Sequence, residues 1–147
     1  MLRFIALTLL GALLTPAFAP MKLYFFSWAS LSALFYLWSE DTPKRAFIDG
    51  LYYGLGFFST GVYWIYISIH QYGNAPWIAS SLLSVLLFAT LSLFIAAAGF
   101  FSNLFFQSRS PTTRCLLVYP ALWVIAEWLR CHLILNGFPW LLIGYAM

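Results

Sequence analysis

Apolar residues run along this chain in blocks, and short polar stretches mark where each block stops. The blocks fall at about 4–18, 23–39, 49–69, 77–106 and 115–135, close to the roughly 20 residues a helix needs to cross a bilayer core. The first has the layout of a secretory signal: Arg3, an apolar run from Phe4 to Leu14, then Ala17-Phe18-Ala19. Pro20 stands where the first residue after cleavage would be, and a second apolar block follows at once. We therefore read a first transmembrane helix, with Thr15-Pro-Ala-Phe-Ala-Pro20 as a tight turn. Glu40-Asp-Thr-Pro-Lys-Arg45 ends the second block. The third carries Gly50, Gly54 and Gly61, with Gly56 between, surfaces on which helices approach closely in lipid. The fourth exceeds a perpendicular crossing, so tilt, a kink near Ala98-Gly99 or emergence from the bilayer is expected. Residues 136–147 read as the start of a periplasm-facing loop or a re-entrant segment. The fold class predicted is an all-α integral membrane protein, a polytopic bundle of about five transmembrane helices forming one domain over 1–147.

Composition agrees: of 147 residues 63% are hydrophobic, 21% aromatic and only 7% charged, against roughly 25% charged in soluble domains. With the N-terminus inside, one side of the membrane holds Arg3, Lys44, Arg45, Arg109 and Arg114, and the other only Lys22 and Arg130. The positive-inside rule then puts the N-terminus in the cytoplasm. No basic stripe tracks a phosphate backbone, so nucleic acid is not an expected partner. Cys115 and Cys131 fit no CxxC pair or disulfide framework, and the two His, two Cys and four acids have no metal-ligand spacing. No metal or cofactor is expected.

The chemistry-bearing residues gather late in the chain. Glu127 and Arg130, three apart, share a helix face and can pair, either as a structural ion pair that fixes the end of a span or as a pair that orients a lipid headgroup or a neighbouring domain. His132 and His70 suit proton transfer in principle, but His132 has only the adjacent Cys131 near it, pointing elsewhere on the helix, and His70 closes a span at the interface. Asn136-Gly-Phe-Pro-Trp140 breaks helical geometry: Gly137 frees the backbone, Pro139 fixes its own φ and extends Phe138, and Phe138 and Trp140 anchor at an interface. Irregular backbone at membrane depth survives where it is buried in protein or lines a cavity, so Gly137, Phe138, Pro139 and Trp140 are candidate lipid contacts or a plain aromatic-belt turn. Tyr63, Trp64 and Tyr66 end the third block on the same side, where they either belong to an aromatic belt or rim the same opening.

Pro120-Ala-Leu-Trp-Val-Ile-Ala-Glu-Trp-Leu-Arg130 followed by Asn136-Gly-Phe-Pro-Trp-Leu-Leu-Ile-Gly-Tyr145 resembles the "PALW…E-[FW]-LR…GFPW…GY" signature of the bacterial apolipoprotein N-acyltransferase family. Gly61-Val-Tyr-Trp-Ile-Tyr-Ile-Ser-Ile is similar to its "G-x-x-W-x-Y-x-S-I" element, and Leu14-Thr-Pro-Ala-Phe-Ala-Pro20 to its "FAP/FSP" turn. The resemblance implies an inner-membrane enzyme of eight spans with a periplasmic nitrilase-like domain. A Glu-Lys-Cys triad there takes an acyl chain from a phospholipid as a thioester and passes it to the α-amine of an apolipoprotein's S-diacylglyceryl cysteine. No position of this chain matches the triad, and Cys115 and Cys131 are not candidates for the nucleophile.

The chain closes on Gly144-Tyr-Ala-Met147 without a polar tail, so it reads as a fragment truncated before the nitrilase-like domain, and a separately encoded nitrilase-like domain is one candidate partner. What the resemblance implies is therefore a membrane platform for lipoprotein biosynthesis, inactive alone, with phospholipid and apolipoprotein as partners. A non-catalytic lipid- or partner-binding module and a small transporter are the alternatives.

Overall fold

The structure, a computed structural model, describes residues 2–133 and 137–146. Within them the chain is helical, with no strand. The helices are α1 (Leu2–Ala12), α2 (Phe25–Glu40), α3 (Pro43–Gly61), the short α4 (Trp64–Ile67), α5 (Trp77–Phe106) and α6 (Pro111–Leu133). A 3-10 turn at Thr15–Ala17 follows α1, a wide π turn at Ser68–Tyr72 extends α4, and a second π stretch, Arg114–Val118, lies inside α6.

Local chemistry sets two of these starts in the same way. Thr42 is extended and its hydroxyl accepts the Arg45 N–H at 3.4 Å, with Pro43 opening α3; Ser110 does the same for Thr113 N–H at 3.2 Å, with Pro111 opening α6. A hydroxyl cap followed by a proline that has no N–H to lose is a favourable helix start. Lys44 and Arg45 therefore belong to the first turn of α3 rather than to a loop. The apolar block 49–69 is not one helix: α3 stops at Gly61, Val62 leaves helical geometry at φ −124°, ψ 17°, and α4 restarts at Trp64.

Successive long helices alternate in direction. Along α3 and α5, Gly50 faces Ala96 and Gly54 faces Ser92, so the two are antiparallel. A Cβ at Gly50 would stand 2.9 Å from the Ala96 Cα, and one at Gly54 2.8 Å from the Ser92 Cα. Arg3 meets Asp49 while Thr15 meets Thr60, so α1 runs parallel to α3. Gly56 seats the Thr8 carbonyl of α1, and Gly99 seats the Trp38 indole of α2, 2.7 Å from where a Cβ would be. Gly99 is thus a packing seat within an uninterrupted α5. Between the helices lies an aromatic core in which Phe35, Trp38, Tyr53, Tyr119 and Trp123 touch at centroid distances of 5.6–6.3 Å.

Two helices, α5 and α6, are long and apolar enough to cross a membrane. At 1.5 Å per residue α5 is about 45 Å long, well beyond a core of about 30 Å. The other helices fall short of that test for physical reasons: α1 and α2 have 11 and 16 residues, and α3 begins with Lys44, Arg45 and Asp49.

Candidate functional site

The last turns of α6 carry Glu127 and Arg130, and from Gly137 the chain folds back as a hook. Gly137 has φ +107°, and a Cβ there would stand 2.8 Å from the Cys131 carbonyl oxygen, so glycine is needed on both counts. Leu141 also has a positive φ, 55°. Its side chain is buried in the space that Gly61 leaves open at the end of α3.

Glu127 and Arg130 hold this hook, each by a different atom set. Arg130 is 2% exposed. It donates to the Trp140 carbonyl at 2.6 Å and more weakly to those of Phe138 (3.4 Å) and Leu141 (3.5 Å), while its guanidinium lies 5.3 Å over the Phe58 ring. Glu127 accepts from the Ile143 N–H at 2.9 Å and from the Trp123 indole N–H at 3.0 Å. The direct pairing expected of them is absent: among the described residues the ion pairs within 4.0 Å are Arg3–Asp41, Arg3–Asp49 and Arg45–Asp41. The reason lies in the returning backbone, whose carbonyls and N–H come closer to these side chains than the side chains come to each other. Asn136 lies outside the described residues.

Phe138 is half-buried, and Pro139 and Trp140 are exposed. The Trp140 ring leans on Trp64 at 5.2 Å, which brings together two of the aromatic candidates. Tyr63 and Tyr66 turn to another side. With Ile67 and the α5 residues Ser84, Val85 and Phe88 they line an apolar groove of about 480 Å³. A second groove, about 350 Å³, runs between Trp28, Leu31 and Phe35 of α2 and Pro120 and Trp123 of α6, with Ile143 of the hook at one end. Both are shaped for hydrocarbon. His132 donates or accepts only locally, its Nδ1 2.7 Å from the Trp128 carbonyl with the rings 4.4 Å apart, and His70 Nδ1 lies 2.9 Å from the Ala75 carbonyl. The buried serines of α5 bond back to their own helix: Ser84 to the Ser80 carbonyl, Ser92 to that of Phe88, Ser102 to that of Ala98.

At the opposite end the structure shows polar clusters that sequence spacing did not reveal. Arg3 bridges Asp41 and Asp49, both buried, and Arg45 reaches Asp41 at 3.5 Å. Burial pushes the Asp41 carboxyl up to about 6, with the neighbouring Asp49 adding to the rise and Arg3 opposing it. Beside them Asn103 donates to the Trp38 and Asp41 carbonyls (2.7 and 2.9 Å), and accepts from Arg114 (2.7 Å) and the Tyr119 hydroxyl (2.9 Å). Arg114 also donates to the Ser39 and Trp38 carbonyls. Together they cap the open end of α2. The only sequence signal was a polar residue, Asn103, inside an apolar block.

The chain matches the family model for the apolipoprotein N-acyltransferase N-terminal domain over residues 10–147. It is 40% identical over 136 residues to the apolipoprotein N-acyltransferase of Coxiella burnetii, 41% over 144 to that of Vibrio parahaemolyticus and 41% over 141 to that of Methylococcus capsulatus. These alignments cover 92%, 98% and 95% of this chain. The chain spans about 28% of the length of each of these curated relatives.

Proposed function

Because the chain belongs to the apolipoprotein N-acyltransferase N-terminal domain family, we propose that it is the membrane platform on which an acyl chain passes from a phospholipid to the N-terminal S-diacylglyceryl cysteine of an apolipoprotein. It lies in the bacterial inner membrane with about five spans and a cytoplasmic N-terminus. That places the hook on the periplasmic side. The observation that carries this reading is the hook itself: Arg130 and Glu127 fix an irregular Phe138–Ile143 backbone, with Trp140 set on Trp64 and Ile143 at one end of an apolar groove between α2 and α6. Irregular backbone at membrane depth has to be held by protein or line a cavity, and here it has both. The platform's part is to bind and orient lipid; the thiol chemistry of the family uses a triad that this chain's residues do not match. A transporter reading draws no support from Ser84, Ser92 and Ser102 of α5, whose hydroxyls bond to carbonyls of their own helix.

The test is a chimera in which this chain replaces the matching segment of the Vibrio parahaemolyticus relative, with N-acylation of a lipoprotein read by mass spectrometry. The chimera is expected to acylate. Trp140→Ala or Pro139→Ala is expected to slow it by about tenfold to a hundredfold, the effect of a misplacement near 1 Å, with normal membrane abundance. Unchanged acylation in both variants would remove the hook from the function.

A further inference from the structure

On the outer face of α3 and α5, near the charged end, lies an apolar groove of about 480 Å³ lined by Lys44, Phe47, Ile48, Ala97, Phe100 and Phe101. Its walls are hydrocarbon apart from one ammonium. Phe47 and Phe100 meet edge to face at 6.4 Å, and Ile48 and Phe101 are exposed.

The surrounding charges decide what that ammonium can attract. Of the three carboxylates nearest in sequence, Asp41 and Asp49 are buried and taken up by Arg3 and Arg45, and Glu40 is exposed at the end of α2 and enters none of the ion pairs among the described residues. Lys44 forms none of the ion pairs among the described residues. It stands exposed in the first turn of α3, where the helix dipole is also positive.

A cation that forms no ion pair among the described residues, at the mouth of a hydrocarbon groove, matches one ligand chemistry, a lipid with an anionic headgroup and an acyl tail. We propose that this face binds an anionic phospholipid of the leaflet opposite the hook, its phosphate on Lys44 and an acyl chain between Phe47, Ile48 and Phe101. This site is separate from the hook and its grooves, and it rests only on the membrane placement proposed above.

The test uses the whole chain purified in mild detergent and native mass spectrometry, with phosphatidylglycerol and phosphatidylcholine of the same acyl chains as probes. Phosphatidylglycerol is expected to be retained about fivefold over phosphatidylcholine, the factor one basic side chain contributes beside an anionic headgroup. Lys44→Gln should abolish the preference and Lys44→Arg keep it. Ala97→Phe, which fills the groove, should reduce retention of both lipids.

Equal retention of the two lipids by the parent chain, or a preference that survives Lys44→Gln, overturns the proposal. Phosphatidylglycerol retention that Ala97→Phe leaves undiminished also overturns it, since the headgroup would then be held at the surface without the groove. A dimer mass lost in Ala97→Phe would show that a second copy occupies this face instead. Release of the chain from membranes by alkaline carbonate would refute the membrane placement, whereas a chain that stays in the membrane without a lipid preference refutes this site alone.

Discussion

Arg130→Gln takes away the one charged donor that reaches the Trp140 and Leu141 carbonyls. A hydrogen bond from a charged group contributes about 1.5–3 kcal/mol, so the hook should loosen. Hydrogen exchange at the Ile143 amide is the measurement, and faster exchange in Arg130→Gln is the expected result. Glu127→Gln keeps an oxygen that accepts from Ile143 and should change exchange less than Glu127→Leu does. The sequence placed Glu127 and Arg130 on one helix face near an irregular segment, and the structure agrees to that extent. It could not show that each would bond to the backbone of that segment, because spacing along a helix carries no information about a chain that folds back onto it. At the other end, Asp41 provides a pH test. Its carboxyl, near 3.8 in an unfolded chain, is raised to about 6 in the fold mainly by burial. A raised acid binds its proton more tightly when folded, so the stability it contributes is present below about pH 4 and lost as pH rises through about 6. Thermal unfolding across that window should show the parent chain losing stability on the alkaline side, and Asp41→Asn should flatten the curve.

Helix packing rests on missing side chains. Gly54→Val would put atoms within 3 Å of the Ser92 backbone, and overpacking of this kind destabilises by about 1–3 kcal/mol. A lowered unfolding temperature in detergent is expected, with Gly144→Ala, whose Cβ meets nothing within 4 Å, as the silent control. Helix extents were legible where breakers stand at both ends: the apolar block 77–106 and helix Trp77–Phe106 share their bounds, with Pro76 before and Gln107-Ser-Arg after. They were least legible in the third block. There the Thr42-Pro43 cap draws a charged turn into α3, and the break at Val62 falls among residues as apolar as those around it. Hydropathy averages over such a break, whereas the hook needs it, since Leu141 occupies the space beside Gly61 and Trp140 rests on Trp64.

The whole molecule has two unlike ends joined by helices of alternating direction. Arg3, Lys44, Arg45 and Arg114 gather at one, and the hook closes the other. Single cysteines at Lys44 and at Trp140 should therefore react with an impermeant reagent from opposite faces of sealed vesicles, and labelling from one face would sink the proposed topology. The distribution of basic residues made this two-ended layout readable from sequence, while the Asn103 and Arg3 clusters that rigidify the first end depend on long-range approaches no local pattern carries. One feature recurs at both ends. Arg114 and Arg130 are buried cations that spend their donors on backbone carbonyls and one amide rather than on carboxylates. Mobile ions weaken attraction between exposed charges beyond about 10 Å at 0.1 M, but they barely reach short contacts between a buried charge and fixed dipoles. Among the described residues the Arg45–Asp41 pair, whose Arg45 side chain is 59% exposed, is the ion pair most open to such screening, ahead of those of Arg3, whose side chain is 33% exposed. This protein should therefore unfold at nearly the same temperature in dilute buffer and at high ionic strength, a tolerance set by what its arginines hold.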